Sequence, residues 1–114
     1  MNVALLGTGL LGQAVAERLH ATGHTLSAYN RSVEKTRALR QQGIHIAATA
    51  AEAMSTADVV ILMLADAAAI RALLFDSPAH RAIHGRTIIQ MGTIGPAESS
   101  SIHEEVIRLG GRYL

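Results

Sequence analysis

The sequence has neither cysteine nor tryptophan among its 114 residues. Without cysteine there is no disulfide scaffold and no thiolate metal site. Aromatics are scarce. Phe75, Tyr29 and Tyr113 are all the chain carries, too few for the stacking platform of a single-strand nucleic-acid binder. The net charge is +1 and no block of one sign occurs, so the electrostatic signature of a nucleic-acid partner is missing. The longest apolar run is Val59 to Ala65, far short of the roughly 20 residues a membrane-spanning helix needs. Met1-Asn2-Val3 lacks the charged start and cleavage site of a secretory signal. The expectation is a cytoplasmic protein with neither nucleic acid nor membrane as partner.

What is present fits one globular domain over residues 1–114. Apolar residues make up 49% and charged residues 17%, enough for a core and too apolar for disorder. Asn2 to Leu6 reads as a short buried strand. Leu11, Val15 and Leu19 then repeat at i, i+4 and i+8, which predicts a helix over Leu10 to Ala21, closed by Gly23. Thr25 to Tyr29 reads as a second strand. Ser32 is placed to cap a helix from Val33 to Gln42, with Gly43 as its stop. A third strand follows at Ile44 to Ile46, and a short helix at Ala50 to Ser55. Asp58 to Met63 is apolar on both faces, as a strand covered by helices on both sides requires. Helices at Ala67 to Phe75 and from Pro96 to about Leu109 flank a strand at Arg86 to Gln90, and Arg112 to Leu114 begins another. Strand and helix alternate about five times, which predicts an α/β domain with a parallel, doubly wound sheet. A strand starting at the last residues suggests a chain cut at its C-terminal end, with a sheet edge that invites pairing with another copy.

Between the first strand and the first helix stands Gly7-Thr8-Gly9-Leu10-Leu11-Gly12. A Gly-x-Gly-x-x-Gly motif is weak alone and gains weight in a strand–helix–strand setting. Gly7 permits the tight turn, Gly9 lets the backbone approach a pyrophosphate, and Gly12 brings the helix close to the sheet. The free N–H groups and the positive end of the helix then face the phosphates. A dinucleotide site usually places an acid about 20 residues further on, for the ribose 2′-hydroxyl. Here the second strand ends in Asn30-Arg31-Ser32 instead. Asn30 can bond a ribose or phosphate oxygen, Arg31 offers a charged planar fork, and Ser32 adds a hydroxyl. Together they favour a 2′-phosphate, and so NADP(H) over NAD(H).

These residues also resemble the N-terminal domain of the β-hydroxyacid dehydrogenase family. That family includes 3-hydroxyisobutyrate dehydrogenases, glyoxylate/succinic semialdehyde reductases and, more distantly, 6-phosphogluconate dehydrogenases and imine reductases. The matching pieces are GTGLLGQAVAERLHATGHTLSAYNRS at 7–32, ADVVILMLAD at 57–66, QMGTIGPAES at 90–99 and LGGRYL at 109–114. The resemblance implies a Rossmann-type domain whose first loop, Gly7 to Gly12, binds the pyrophosphate. It implies that Asn30, Arg31 and Ser32 mark an NADP(H) preference. Met63, Leu64, Ala65 and Ala69 would lie along the cofactor, and Thr93 would reach the nicotinamide and the substrate. Gly92 stands where the family often has serine, which leaves the substrate class open. By resemblance the parent reaction is hydride transfer between NADPH and a small carbonyl or a 2- or 3-hydroxy acid. The family's catalytic lysine lies in a later helical domain, and Lys35, the only lysine here, does not match it. The chain alone is expected to be inactive. A second hypothesis is a stand-alone nucleotide-sensing Rossmann module without catalysis.

Other candidate sites carry less. His80 and His84 are four apart, but no third ligand accompanies them, so no metal is expected. Ser99-Ser100-Ser101 lacks the elbow of a serine nucleophile.

Overall fold

The computed structural model describes residues 1–114. Its strands are β1 (Asn2–Leu6), β2 (Thr25–Tyr29), β3 (His45–Ile46), β4 (Val59–Leu62), β5 (Thr87–Gln90) and β6 (Arg112–Tyr113). They form one parallel sheet in the order β3-β2-β1-β4-β5-β6, the doubly wound arrangement the alternation predicts. The helices are α1 (Leu10–Ala21), α2 (Arg37–Gln41), α3 (Ala50–Ser55), α4 (Ala67–Leu74) and α5 (Pro96–Arg108).

The apolar strands divide their side chains between two cores, because successive residues of a strand point to opposite faces. Ala4 and Leu6 of β1 join Val60 and Leu62 of β4 in the larger core, with Ile70 and Leu74 of α4 and Ile102 and Val106 of α5. Val3 and Leu5 enter the smaller core with Ala16 of α1 and Leu39 of α2. Chain order reverses direction across the sheet between β1 and β4. A crevice opens there, beyond the carboxyl ends of the strands.

Helix starts follow local chemistry. Thr49 Oγ1 accepts from Glu52 N–H at 3.1 Å, and Asp66 Oδ1 accepts from Ala69 N–H at 2.8 Å. Pro96 occupies the first turn of α5, where its missing N–H costs nothing. The exposed Arg108 guanidinium beside Glu105 holds that carboxylate below its usual range, on the same helix and away from the crevice.

The single helix expected over Val33 to Gln42 is two pieces. A 3₁₀ turn at Val33–Thr36 precedes α2. Thr36 Oγ1 donates to the Val33 carbonyl at 2.6 Å and is buried there, which tightens that turn. Ser32 makes no side-chain cap bond, so the capping role expected of it is corrected. Ile44 lies in the smaller core, ahead of a third strand shorter than expected. The last strand is present at the sheet edge, and Leu114 N–H donates to the Ile88 carbonyl at 2.9 Å. No helix is long and apolar enough to cross a membrane.

Candidate cofactor-binding site

The turn from β1 into α1 stands at the crevice, and its three glycines have different reasons to be glycine. Gly7 has φ +88°, and a Cβ there would lie 2.5 Å from the Met63 carbonyl oxygen. A Cβ at Gly12 would lie 2.9 Å from the Gly7 carbonyl oxygen. These two serve close contact within the chain: α1 packs on its own entry loop and on the end of β4. A Cβ at Gly9 would meet nothing within 4 Å. Its missing side chain leaves open space in front of the helix.

That space faces the head of α1. Gln13 N–H is the first of the helix to find a carbonyl, that of Gly9 at 2.9 Å. The N–H groups of Leu10, Leu11 and Gly12 precede it and are left to an outside partner. No acidic residue stands in the first turn, so the positive end of the helix is not offset. An open glycine, free donors and an unopposed helix dipole fit a diphosphate.

The expected site residues other than Ser32 fall along one crevice. A cavity of about 260 Å³ is bounded by Gly7, Tyr29, Asn30 and Arg31 on one side and by Leu64, Ala69, Ala72 and Leu73 on the other. It contains no carboxylate. Arg31 is exposed and takes part in none of the ion pairs, which join Arg37 to Glu34, His45 to Glu52 and Arg108 to Glu105. A second cavity of about 460 Å³ is lined by Gly9, Leu10, Leu11 and Gly12, by Met63, Leu64 and Ala65, and by Met91, Gly92 and Thr93. No residue lining it carries a titratable side chain. A third, of about 260 Å³, has Thr8, Gly9, Leu10, Gln13 and Lys35 on its walls. Ser32 is half-buried and lines none of these three.

Two of the expected site residues also bond within the chain. Thr8 is buried; its N–H donates to Asn30 Oδ1 at 3.2 Å, and its hydroxyl donates to the Lys35 carbonyl at 3.4 Å. Asn30 Nδ2 donates to the Ser32 carbonyl at 2.9 Å. Thr8 and Asn30 thus spend polar groups on the chain itself.

Gly92 gains a reason. A Cβ there would lie 2.6 Å from the Leu64 carbonyl oxygen and 2.9 Å from Gln90 Nε2. A serine would require the backbone after β4 to move.

Sequence reasoning missed Tyr29, Ala72, Leu73, Gln13, Lys35 and Met91. Ala72 and Leu73 stand three and four residues beyond Ala69, a helical neighbourhood that spacing alone reveals. Lys35 carries no such signal, since the 3₁₀ turn that places it departs from the expected helix.

The sequence profile of the NAD binding domain of 6-phosphogluconate dehydrogenase matches residues 2–114. The chain belongs to that family. Among its relatives is the cytokine-like nuclear factor N-PAC of Xenopus tropicalis, 32% identical over 115 residues, which cover 99% of this chain and 22% of that protein. Glyoxylate/succinic semialdehyde reductase 1 of Arabidopsis thaliana is 28% identical, over 100% of this chain and 40% of the plant protein. A solved structure of a reductive aminase from Aspergillus terreus, in complex with NADPH and ethyl levulinate, superposes with a TM-score of 0.91 at 29% identity, over 98% of this chain and 39% of the aminase. The chain thus spans between a fifth and two fifths of the length of these relatives. It is a NAD(P)-binding domain of the kind oxidoreductases of this family carry.

Proposed function

We propose that this chain is the NADP(H)-binding part of an oxidoreductase acting on a small hydroxy acid or the matching aldehyde or keto acid. The observation that carries the cofactor choice is Arg31. Directly after Asn30, which stands where an acid would hold a ribose 2′-hydroxyl, a guanidinium without an ion-pair partner borders a cavity free of carboxylates. Such a group suits a phosphate dianion and offers nothing to a diol that an acid would not serve better. The reductive aminase of similar fold is described in complex with NADPH, in keeping with this reading.

In this reading the N–H groups of Leu10, Leu11 and Gly12 bind the diphosphate, and Arg31 binds the 2′-phosphate. Leu64, Ala69, Ala72 and Leu73 give the adenosine an apolar bed. The cavity bordered by Met63, Met91 and Thr93 takes the nicotinamide end, where apolar walls exclude water from the reacting carbon. The bound dinucleotide supplies or accepts a hydride. Thr93, exposed at the rim, would orient the substrate with its hydroxyl. No residue lining that cavity can exchange a proton near neutral pH, so the proton donor to the carbonyl oxygen comes from outside these walls.

Calorimetric titration of the protein with NADPH and with NADH tests the proposal. NADPH should bind more tightly. Equal affinities would remove the argument from Arg31.

A second reading is favoured by the relatives named nuclear factor N-PAC: a module that binds the dinucleotide as a signal. Gly92 in place of a substrate-contacting serine is compatible with it. NADPH consumption on a panel of short aldehydes and keto acids, measured with the whole protein of which this chain is the cofactor-binding part, separates the two. Turnover supports the enzyme; tight NADPH binding without turnover supports the module.

A further inference from the structure

Asn30 is the residue after β2, and its side chain reaches the turn after β1. The two strands run in register as far as Leu6 opposite Tyr29, and Gly7 N–H donates to the Tyr29 carbonyl at 2.9 Å. There the backbone ladder stops. One residue on, Thr8 N–H finds the Asn30 side chain instead, at 3.2 Å. The same amide turns its nitrogen to the Ser32 carbonyl at 2.9 Å. One partly buried side chain thus extends the pairing of two strands by a residue and closes the turn that carries Arg31.

Both halves of the amide are in use, and that restricts the side chain. A carboxylate could accept from Thr8 N–H but has no donor for the Ser32 carbonyl, and would set two negative oxygens against each other. An alanine leaves the buried Thr8 N–H without a partner, a costly state for a backbone donor.

We propose that Asn30 is a positioning residue. It locks the Gly7–Gly9 turn to the Arg31–Ser32 turn, so that the N–H groups at the head of α1 and the Arg31 guanidinium face a single ligand from a fixed separation. The inference rests on the NADP(H) reading above for the identity of that ligand. It assigns Asn30 an indirect part in cofactor choice. The neutral amide that holds the two turns together also occupies the place of the acid that would favour the unphosphorylated cofactor.

The test uses Asn30→Ala and Asn30→Asp, read by hydrogen exchange at the Thr8 amide without ligand and by titration with both cofactors. In the parent protein and in Asn30→Asp the Thr8 amide should exchange slowly. In Asn30→Ala it should exchange about tenfold faster or more, the scale of one lost hydrogen bond. Asn30→Ala should weaken NADPH and NADH alike, each by about tenfold, the same scale. Asn30→Asp should weaken NADPH more than NADH, because the new charge faces the phosphate side and the Ser32 turn is freed. Unchanged Thr8 exchange in Asn30→Ala, or unchanged affinity for both cofactors, overturns the proposal. Should Asn30→Ala fail to fold, Asn30→Ser, whose shorter hydroxyl cannot span both partners, takes its place: faster Thr8 exchange with both affinities lowered supports the lock, and parent-like Thr8 exchange or parent-like affinities overturn it. A parent protein that binds neither cofactor, with Thr8 protection still lost in Asn30→Ala, defeats the cofactor reading and leaves the lock between the turns standing.

Discussion

A methyl group at Gly7 would collide with the Met63 carbonyl, whereas one at Gly9 would touch nothing in the chain. The two positions therefore answer different questions. Gly7→Ala should destabilise the fold by about 2–5 kcal/mol in urea denaturation, from the left-handed backbone and the overpacked contact together. Gly9→Val should leave the far-UV circular dichroism native and abolish dinucleotide binding. Retained binding would show that no phosphate approaches this turn. Arg31→Ala should weaken NADPH by about 1–3 kcal/mol, the scale of a lost charge-assisted bond, and leave NADH unchanged; a parallel loss of both would make Arg31 a structural residue. The glycine spacing was legible in the sequence because each step of that motif answers a steric demand. Asn30 was legible as a residue of the site but not in its role. Its bonds go to Thr8 and Ser32, and the first of these exists only once β1 and β2 lie side by side. Gly92 was legible only as a departure from a pattern. Its cause, the Leu64 carbonyl close to it, belongs to the loop that follows β4.

Elements with strong local signals were readable and those shaped by tertiary contacts were not. The β4 run is apolar at every position, as a strand covered by helices on both faces requires. Pro96 and the glycines at helix ends marked boundaries through backbone chemistry that needs no partner. The segment from Val33 to Gln42 went the other way. Its composition suits a helix, but Thr36 is drawn into the interior and its hydroxyl closes a tighter turn on Val33. The local preference gave way to packing, and Ser32 lost its cap in the process. The α4 cap allows a quantitative check. Asp66 Oδ1 accepts from Ala69 N–H at 2.8 Å, so Asp66→Ala should cost about 1 kcal/mol in stability. Because Ala69, Ala72 and Leu73 on this helix border the cavity beside Arg31, the same variant should also weaken cofactor binding. A stability loss with binding untouched would separate α4 from the site.

At the scale of the molecule, the three cavities around the first turn lie where the carboxyl ends of β1, β2, β4 and β5 converge. No single element forms the site; strand order does, by parting the chain at β1 and β4. A ligand spanning that divide touches β1, β2, α1 and α4 at once, so its binding energy should appear as stability of the whole domain. At a free NADPH concentration of 100 times the dissociation constant, linkage predicts stabilisation of about 2.7 kcal/mol. At that same concentration, a tenfold weaker Arg31→Ala variant should gain only about 1.4 kcal/mol by the same relation. NADH should stabilise the parent and the variant equally. Thermal denaturation across a cofactor series reads all of this in one experiment. If NADPH raised the midpoint of both proteins by the same amount, the guanidinium would have no part in holding the ligand. If it raised neither, the crevice would not be a dinucleotide site.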